Sequence, residues 1–210
     1  EGWILEDGLI ETTADVSINA STLLNKLQEG PTEISASYIG IEASIISTSA
    51  NRLTLKASEN IDISSNITIQ TNGGDIVFWT NPTASNSISG HIRLNSGVVL
   101  NTTNGSTDPG LSGGGHIILA GGGDSDGDCY PDGFAKTNST YGIRLDTGVE
   151  LYSAGGDIIV RGETYSTSTN LSGIYQTGDL TIDSGVGSIF IEGKNRSGYG
   201  SWPLQLGNGT

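Results

Sequence analysis

Residues 60–79, NIDISSNITIQTNGGDIVFW, decide the fold of this chain. The stretch holds three pairs of apolar residues, each pair with one residue between its members: Ile61 with Ile63, Ile67 with Ile69, and Ile76 with Phe78. Side chains two positions apart on an extended chain point to the same face, so each pair predicts a short strand with one buried face. Turn-forming residues separate the pairs. The stretch therefore predicts one coil of a solenoid with three strands.

The same three strands recur along the chain at nearly constant offsets. The first strand of each later coil starts at Ile92, Ile143 and Ile174, and the second strand starts six residues after the first in every coil. The repeat length is 31 residues, both from Ile61 to Ile92 and from Ile143 to Ile174. Short strands that recur at one coil length are typical of a β-solenoid, and three strands per coil indicate a parallel β-helix.

Two loops of the second coil are longer than in the other coils. Val98 and Ile117 are 19 residues apart where the other coils have 9, and Ile117 and Ile143 are 26 apart where 16 is the rule. The strands stay in phase because both insertions fall in loops. Gly-Gly also recurs before the third strand, at 73–74 and again in the two following coils, at 114–115 and 155–156.

The first third of the chain predicts shorter coils, over about residues 9–60, before the 31-residue coils of about 61–203. Val16, Ile39 and Ile61 start equivalent strands 22 or 23 residues apart. Between the first two lies STLLNKLQEG, residues 21–30, which predicts one short helix on the side of the solenoid. Ser21 would be its N-cap and Gly30 its end, and its apolar face would comprise Leu23, Leu24 and Leu27.

Composition limits the class of protein. Thirty-two of the 210 residues are Gly, which suits a chain that turns every few residues. The net charge of −14 argues against binding to nucleic acid, which requires clustered Lys and Arg. A single Cys allows no internal disulfide, and no apolar run is long enough to span a membrane. We expect residues 1–210 to be one continuous β-solenoid and a fragment of a longer chain, because a new coil starts at Leu204 without a cap.

Two segments resemble a known family. ADVSINASTLLNKLQEGPTEISASYIGIEASI, residues 14–45, and LTLKASENIDISSNITIQ, residues 53–70, resemble the repeats of large bacterial surface exoproteins of the filamentous-haemagglutinin type. The resemblance covers roughly residues 9–80. It implies a right-handed parallel β-helix in a secreted or cell-surface protein that acts as an adhesin or its stalk. No catalytic residues come with it, and the insertion at 121–141 is not part of the shared pattern.

That insertion contains the strongest chemical signal of the chain. Carboxylates alternate in DSDGDCYPD, residues 124–132, and such spacing can surround a hard cation. We predict a Ca²⁺ site in which the peptide oxygen of Tyr130 joins four carboxylates, those of Asp124, Asp126, Asp128 and Asp132. The analogy with an EF-hand is incomplete, since the twelfth position is Ala135 where a bidentate Glu is expected. The alternative is a solvated acidic turn.

The middle residues of the third strands are apolar although they should point outward. Stacked at the ~4.8 Å strand spacing, they would form an apolar stripe along the solenoid. The stripe comprises Val77, Ile118, Ile159 and Phe190. We expect the long loops that follow the third strands, 80–89, 161–172 and 193–203, to fold back over it. The alternative is a lateral contact with another protein or another copy of the chain.

The middle residues of the first strands predict a charged face. Asp62, Arg93 and Arg144 should stack in neighbouring coils, with His91 nearby. In β-helical polysaccharide lyases and hydrolases, acidic and basic residues on such an outer face do the chemistry, so this face is an alternative carbohydrate site. It is equally a solvated face in which the arginines pair with Asp62 and Asp146. No close pair of carboxylates is required by the spacing, and we predict no catalytic residues.

These observations favour a structural function. We predict a non-catalytic rod or stalk of an extracellular bacterial adhesin or filament, with Ca²⁺ as its cofactor. Its partners would be a glycan or protein on a host or neighbouring cell, or copies of itself. The alternative is a β-helical protein that binds or cleaves polysaccharide.

Overall fold

The protein is a parallel β-helix with three sheets and one short helix. The computed structural model describes residues 5–6, 9–11, 19–83, 90–104, 113–138, 141–165, 171–196 and 202–206. In these residues the elements are, in chain order, β1 (Leu5–Glu6), β2 (Leu9–Glu11), α1 (Ala20–Glu29), β3 (Thr32–Ala36), β4 (Ile39–Ile41), β5 (Ile45–Ile46), β6 (Leu53–Ala57), β7 (Ile61–Ile63), β8 (Thr68–Gln70), β9 (Ile76–Thr80), β10 (Ile92–Leu94), β11 (Val99–Asn101), β12 (Ile117–Gly121), β13 (Ala135–Thr137), β14 (Ile143–Leu145), β15 (Val149–Tyr152), β16 (Ile158–Thr164), β17 (Ile174–Gln176), β18 (Leu180–Asp183), β19 (Ile189–Asn195) and β20 (Leu204–Leu206).

Each predicted strand of a coil belongs to its own sheet. Sheet 1 contains the first strands in the order β4, β7, β10, β14, β17 and β20, and sheet 2 contains the second strands in the order β5, β8, β11, β15 and β18. Sheet 3 contains β1, β2, β3, β6, β9, β12 and β16 in that order, with β13 and β19 both bonded to β16. All strand pairs are parallel except β1 with β2. The predicted three-stranded coil is confirmed.

The register follows the predicted repeat. Ile61, Ile92 and Ile143 pair on successive strands of sheet 1. Ile117 pairs with Ile76 and Ile158 on the neighbouring strands of sheet 3, despite the long loops on either side of it. The apolar pairs of strands β6 to β16 point inward and form one continuous buried core. At β19 the inward row is less covered, and Ile189 is 46 % exposed, because β16 is the strand bonded to it in the described part of the chain.

A column of glycines explains the recurring Gly-Gly pairs. The second glycine of each pair lies against the same position of the neighbouring coil, where an added Cβ would come within 2.2–2.4 Å of backbone atoms. The column comprises these three glycines, Gly74, Gly115 and Gly156, and continues in the next coil at Gly187, which follows Val186. A buried hydroxyl at the end of each second strand donates to the carbonyl of this glycine. Thr102 does so to Gly115 at 2.5 Å across the first insertion, so this coil keeps the same corner as its neighbours.

The helix α1 covers one side of the early coils, as predicted. Leu23 and Leu27 are buried and Leu24 packs against the same core. The prediction of Ser21 as N-cap is wrong. Asn19 is the cap, because its Oδ1 accepts a hydrogen bond from the Ser21 amide at 2.9 Å while Ser21 itself lies in the first turn. Gly30 ends the helix by donating to the Lys26 carbonyl at 3.1 Å.

The remaining predictions for the first third divide in two. Ile39 and Ile61, 22 residues apart, pair in register on neighbouring strands of sheet 1. Val16 lies outside the described residues. In the described part of the chain, no helix has the length and apolar character required to cross a membrane.

Candidate functional site

The acidic loop, residues 124–132, brings three carboxylates together. One oxygen from each of Asp124, Asp126 and Asp128 lies within 4.8 Å of the others. Calcium binds oxygen at 2.3–2.6 Å, so two ligand oxygens of one ion are separated by at most about 5 Å. The three oxygens are therefore close enough to share one cation, and Asp126 and Asp128 are exposed to solvent.

Hydrogen bonds within the loop hold these carboxylates in place. Asp124 accepts from the amides of Gly127, at 2.6 Å, and Cys129, at 3.0 Å. Asp128 accepts from the amide of Tyr130 at 2.8 Å. Gly127 and Cys129 have φ values of 82° and 66°, in the left-handed region that tight turns require. The loop thus bends around its own carboxylates.

Asp132 and the side chain of Tyr130 have further contacts outside the group of three carboxylates. Asp132 accepts hydrogen bonds from the amide of Ser125, at 2.6 Å, and from its hydroxyl. These bonds, hydroxyl first, lower the pKa of Asp132. The side chain of Tyr130 leaves the loop and donates from its hydroxyl to Asp75 at 2.6 Å. The structure therefore groups three of the four predicted carboxylates, and the contact of Tyr130 concerns its side chain, not the peptide oxygen predicted as a ligand.

Repulsion among the carboxylates affects Asp126. Its largest single influence is the hydrogen bond from the Asp128 amide, which lowers the pKa of Asp126. Partial desolvation and the negative charges of Asp128, Asp132 and Asp124 act in the opposite direction, and together they raise the pKa of Asp126 above its usual value. A cation in the loop would relieve this repulsion.

The loop is attached firmly to sheet 3. The indole N–H of Trp79 donates to the Gly122 carbonyl at 2.6 Å where the loop begins. The hydroxyl of Tyr130 bonds to Asp75, and the Arg52 guanidinium lies 5.3 Å from the centre of the Tyr130 ring. After the loop the chain returns to sheet 3 as β13, which pairs with the second half of β16. The insertion is thus an ordered part of the solenoid wall.

This insertion covers much of the predicted apolar stripe. Val77 and Ile118 are buried in a second apolar cluster with Trp79 and Ala120, against which Tyr130 packs. Ile159 is half-buried, and the side chain of Phe190 on β19 is 52 % exposed. Sequence reasoning missed Trp79 and Tyr130 as covering residues. Parts of the loops expected to cover the stripe, residues 84–89, 166–170 and 197–201, lie outside the described residues.

Asp62, Arg93 and Arg144 lie in one row of sheet 1, and of the two carboxylates considered as partners of the arginines, Asp146 forms the ion pairs that the structure describes. Arg93 is in register with Asp62 on one side and Arg144 on the other. Both guanidinium groups nevertheless bind Asp146, Arg93 from Nη2 at 3.2 Å and Arg144 from Nε at 2.7 Å. The Asp146 side chain is only 8 % exposed. This carboxylate therefore fixes both arginines side by side.

Asp62 belongs to a neighbouring group. His91 Nε2 lies 3.4 Å from its carboxylate, and the Tyr38 hydroxyl also bonds to it. Burial acts to raise the pKa of Asp62, but the bonds from His91 and Tyr38 and the charges of His91 and Arg93 outweigh it, so the pKa of Asp62 is lowered. The carboxylate stays ionised at neutral pH.

Two tyrosines complete this face, and sequence reasoning did not predict their contact. Tyr175 occupies the position next to Arg144 in sheet 1, and Tyr141 stacks on it with ring centres 4.2 Å apart and planes at 15°. The Arg144 guanidinium lies 5.9 Å from the centre of the Tyr175 ring. The alternation of the strands places Tyr175 on the outer face, but nothing in the spacing indicates that Tyr141 reaches it.

Comparison with family models, with curated proteins and with solved structures finds no match to this chain. Two groups of side chains on this fold offer sites for a ligand. One is the acidic loop, which can hold a cation. The other is the outer face of sheet 1, where two arginines, two tyrosines and an ionised aspartate lie together.

Proposed function

We propose that this chain is a rod segment of a secreted or cell-surface protein, an adhesin stalk or an extracellular filament. The observation that carries the proposal is the in-register stack of coils in sheet 1, from β4 to β20. Each inner coil is bonded to two neighbours, and the buried core runs without interruption from Ile34 on β3 to Ile174 on β17. Such an assembly is elongated and stiff, which suits a spacer that projects a binding surface. The resemblance of residues 9–80 to bacterial surface exoproteins agrees with this function.

The partners in this proposal are a surface glycan or protein, or further copies of the chain. Localisation tests it. Antibodies raised against residues 19–206 should label intact cells of the source organism, and protease added outside the cells should remove the label. An internal protein of the same cells is the control. Labelling that requires cell lysis would contradict the extracellular proposal.

Calcium is the cofactor of the proposed rod. The oxygens of Asp124, Asp126 and Asp128 are spaced for one ion, and their mutual repulsion would be relieved by it. Calcium prefers six to eight oxygen ligands, so water or further oxygens of the loop would complete the site. The ion would stiffen the loop whose Tyr130 packs over the apolar cluster of sheet 3.

Cleavage of polysaccharide is the weaker alternative. A hydrolase of the usual kind needs one carboxyl group that holds a proton at working pH and a second that is ionised. On the outer face of sheet 1 the pKa of Asp62 is lowered, so this carboxyl has no proton to donate at neutral pH. Asp146 is occupied by two arginines. The face is better suited to binding than to acid catalysis.

A further inference from the structure

The outer face of sheet 1 has hydrogen-bond donors that the described protein does not use. Arg144 donates to Asp146 from Nε, and no described residue accepts a hydrogen bond from its two terminal amino groups. Arg93 donates from Nη2 alone, and its Nε is buried without an acceptor. The side chains of Arg93 and Arg144 are 38 % and 34 % exposed, so a ligand in solvent can reach them. Unused guanidinium donors in a fixed position favour planar anions such as carboxylates.

The arginines are held before any ligand arrives. Asp146 is almost fully buried and contacts both, and the Thr177 hydroxyl lies 3.4 Å from the same carboxylate. Asp146 compensates one of the two positive charges, and the ionised Asp62 beside Arg93 opposes part of the other, so Arg144 is the arginine farther from this second carboxylate. Holding a long side chain in its bound rotamer reduces the entropy that binding would otherwise cost. Asp146 is thus a positioning residue for the pair.

An aromatic surface adjoins the arginines along the solenoid axis. Tyr175 follows Arg144 in the same row of sheet 1, and Tyr141 supports its ring. Gly142 and Gly173 precede these strands and carry no side chain that rises above the sheet. Sugar rings present C–H groups that pack on aromatic rings, and their hydroxyls bond to neighbouring polar groups. The arginines, which can bind an anion, and the aromatic ring, which can pack on a sugar, therefore lie in one row of sheet 1.

The side chains of this row are regularly spaced. Arg93, Arg144 and Tyr175 lie on adjacent strands of sheet 1, and adjacent strands are about 4.8 Å apart. This distance is comparable with the length of one residue in an extended glycan chain. A polymer lying parallel to the solenoid axis would place successive sugars over successive coils.

We propose that the outer face of sheet 1 binds an extended acidic polysaccharide, with its uronate carboxylates on Arg93 and Arg144 and a sugar ring on Tyr175. The inference rests on the proposed extracellular function and names the class of partner. Asp62 marks the end of the row, because an ionised carboxylate repels the next uronate. The net charge of −14 opposes the approach of a polyanion, but at physiological salt this repulsion is screened beyond about 8 Å.

Calorimetric titration with an oligogalacturonate tests the proposal. The matched ligand is the same oligosaccharide after reduction of its carboxyl groups, and a chelator is present so that calcium cannot link the ligand to the acidic loop. The protein should bind the acidic form more tightly than the reduced form. Arg144→Gln should weaken binding of the acidic form by roughly tenfold to a hundredfold, since a hydrogen bond to a charged group is lost.

Two further variants separate binding from folding. Lys26→Gln removes the same charge from the helix, away from this face, and should bind like the unchanged protein. Arg144→Lys keeps the charge but loses the planar fork, so it should bind more weakly than the unchanged protein at an equal melting temperature. Equal affinity for the two ligands, equal weakening by Arg144→Gln and Lys26→Gln, or no binding to the acidic form would overturn the proposal. None of these results affects the localisation test, so the rod and the glycan site can fail separately.

Discussion

Gly115 lies where neighbouring coils are closest, and its hydrogen side chain is a steric requirement. An added Cβ would be 2.4 Å from the carbonyl carbon of Gly74 and 2.7 Å from the amide nitrogen of Asp75. Both are backbone atoms of a packed coil, so neither can move away cheaply. Gly156 stands in the same relation to Gly115 in the next coil. The glycine column therefore sets the coil spacing at this corner.

Gly115→Ala should destabilise the protein by about 3 kcal/mol, the upper part of the usual range for an overpacked site. Thermal unfolding followed by circular dichroism measures the effect. Gly30→Ala is the matched control, because a Cβ there meets nothing within 4 Å and its φ of 177° is open to any residue. Equal melting temperatures for the two variants would show that the coils can separate at Gly115 without cost.

At this scale the sequence predicts the positions of residues better than their partners. The repeated offsets placed Arg93, Arg144 and Asp62 in one row, as the register confirms. They did not decide between Asp62 and Asp146 as the partner of the arginines, because both carboxylates lie within reach of a flexible side chain. Asn19 and Ser21 likewise are both good N-caps, and only the backbone geometry selects Asn19.

The acidic loop is the element in which cation binding and tertiary structure meet. The loop holds three grouped carboxylates, and the chain that follows the loop returns to the sheet as β13. Tyr130 lies between these two parts and connects the loop to Asp75, a residue of a different coil. A cation bound by the carboxylates would therefore also fix Tyr130 over the apolar cluster that contains Val77 and Ile118.

Calcium should bind this loop, and Asp126→Ala/Asp128→Ala should abolish the binding. We expect a dissociation constant of about 10⁻⁴ to 10⁻³ M, the range of extracellular calcium modules. Calorimetry measures the affinity, and melting curves with and without calcium measure the linked stability. Asp179→Ala/Asp183→Ala removes the same charge from exposed positions at the two ends of β18 and should bind calcium normally. Loss of calcium binding in both double variants would show that the overall charge of the protein, and not the acidic loop, determines the binding.

The same titration has an expected pH dependence. Calcium requires ionised carboxylates, and the pKa of Asp126 is raised in the folded protein. As the pH falls, Asp126 takes up its proton above the usual carboxyl value of about 3.8. Calcium affinity should therefore decline from this pH downward, while Asp132, whose pKa is lowered, remains ionised longer.

Elements differ in how well the sequence predicts them. The apolar pairs within the strands are local patterns. Their order of first, second and third strand is unchanged by the two insertions, so the sheets follow directly from the sequence. The cover of the apolar stripe depends on contacts such as Trp79 with Gly122 and Tyr130 with Asp75, which are 43 and 55 residues apart. No periodic pattern encodes such contacts. The register places one apolar residue of each third strand in a single row, Val77, Ile118, Ile159 and Phe190, but no pattern in the sequence indicates that the insertion covers part of this row.

On the scale of the whole molecule, stability depends on position along the solenoid. Ile117 is fully buried and is bonded to coils on both sides, at Ile76 and Ile158. Ile189 continues the same row, is 46 % exposed and pairs with Ile158. In a chain of coils that contact mainly their neighbours, a break in the middle removes two interfaces, and a break at a less covered coil removes one.

Ile117→Asp should therefore unfold the solenoid, whereas Ile189→Asp should leave the earlier coils folded. A buried carboxylate without a partner costs several kcal/mol, and at Ile117 that cost falls on the interfaces to both neighbouring coils. Hydrogen exchange followed by mass spectrometry resolves the two cases. Residues 53–80 should lose protection in Ile117→Asp and keep it in Ile189→Asp. If these residues stay protected in both variants, the coils fold independently, and a rod that depends on cooperation along its whole length would have to be abandoned.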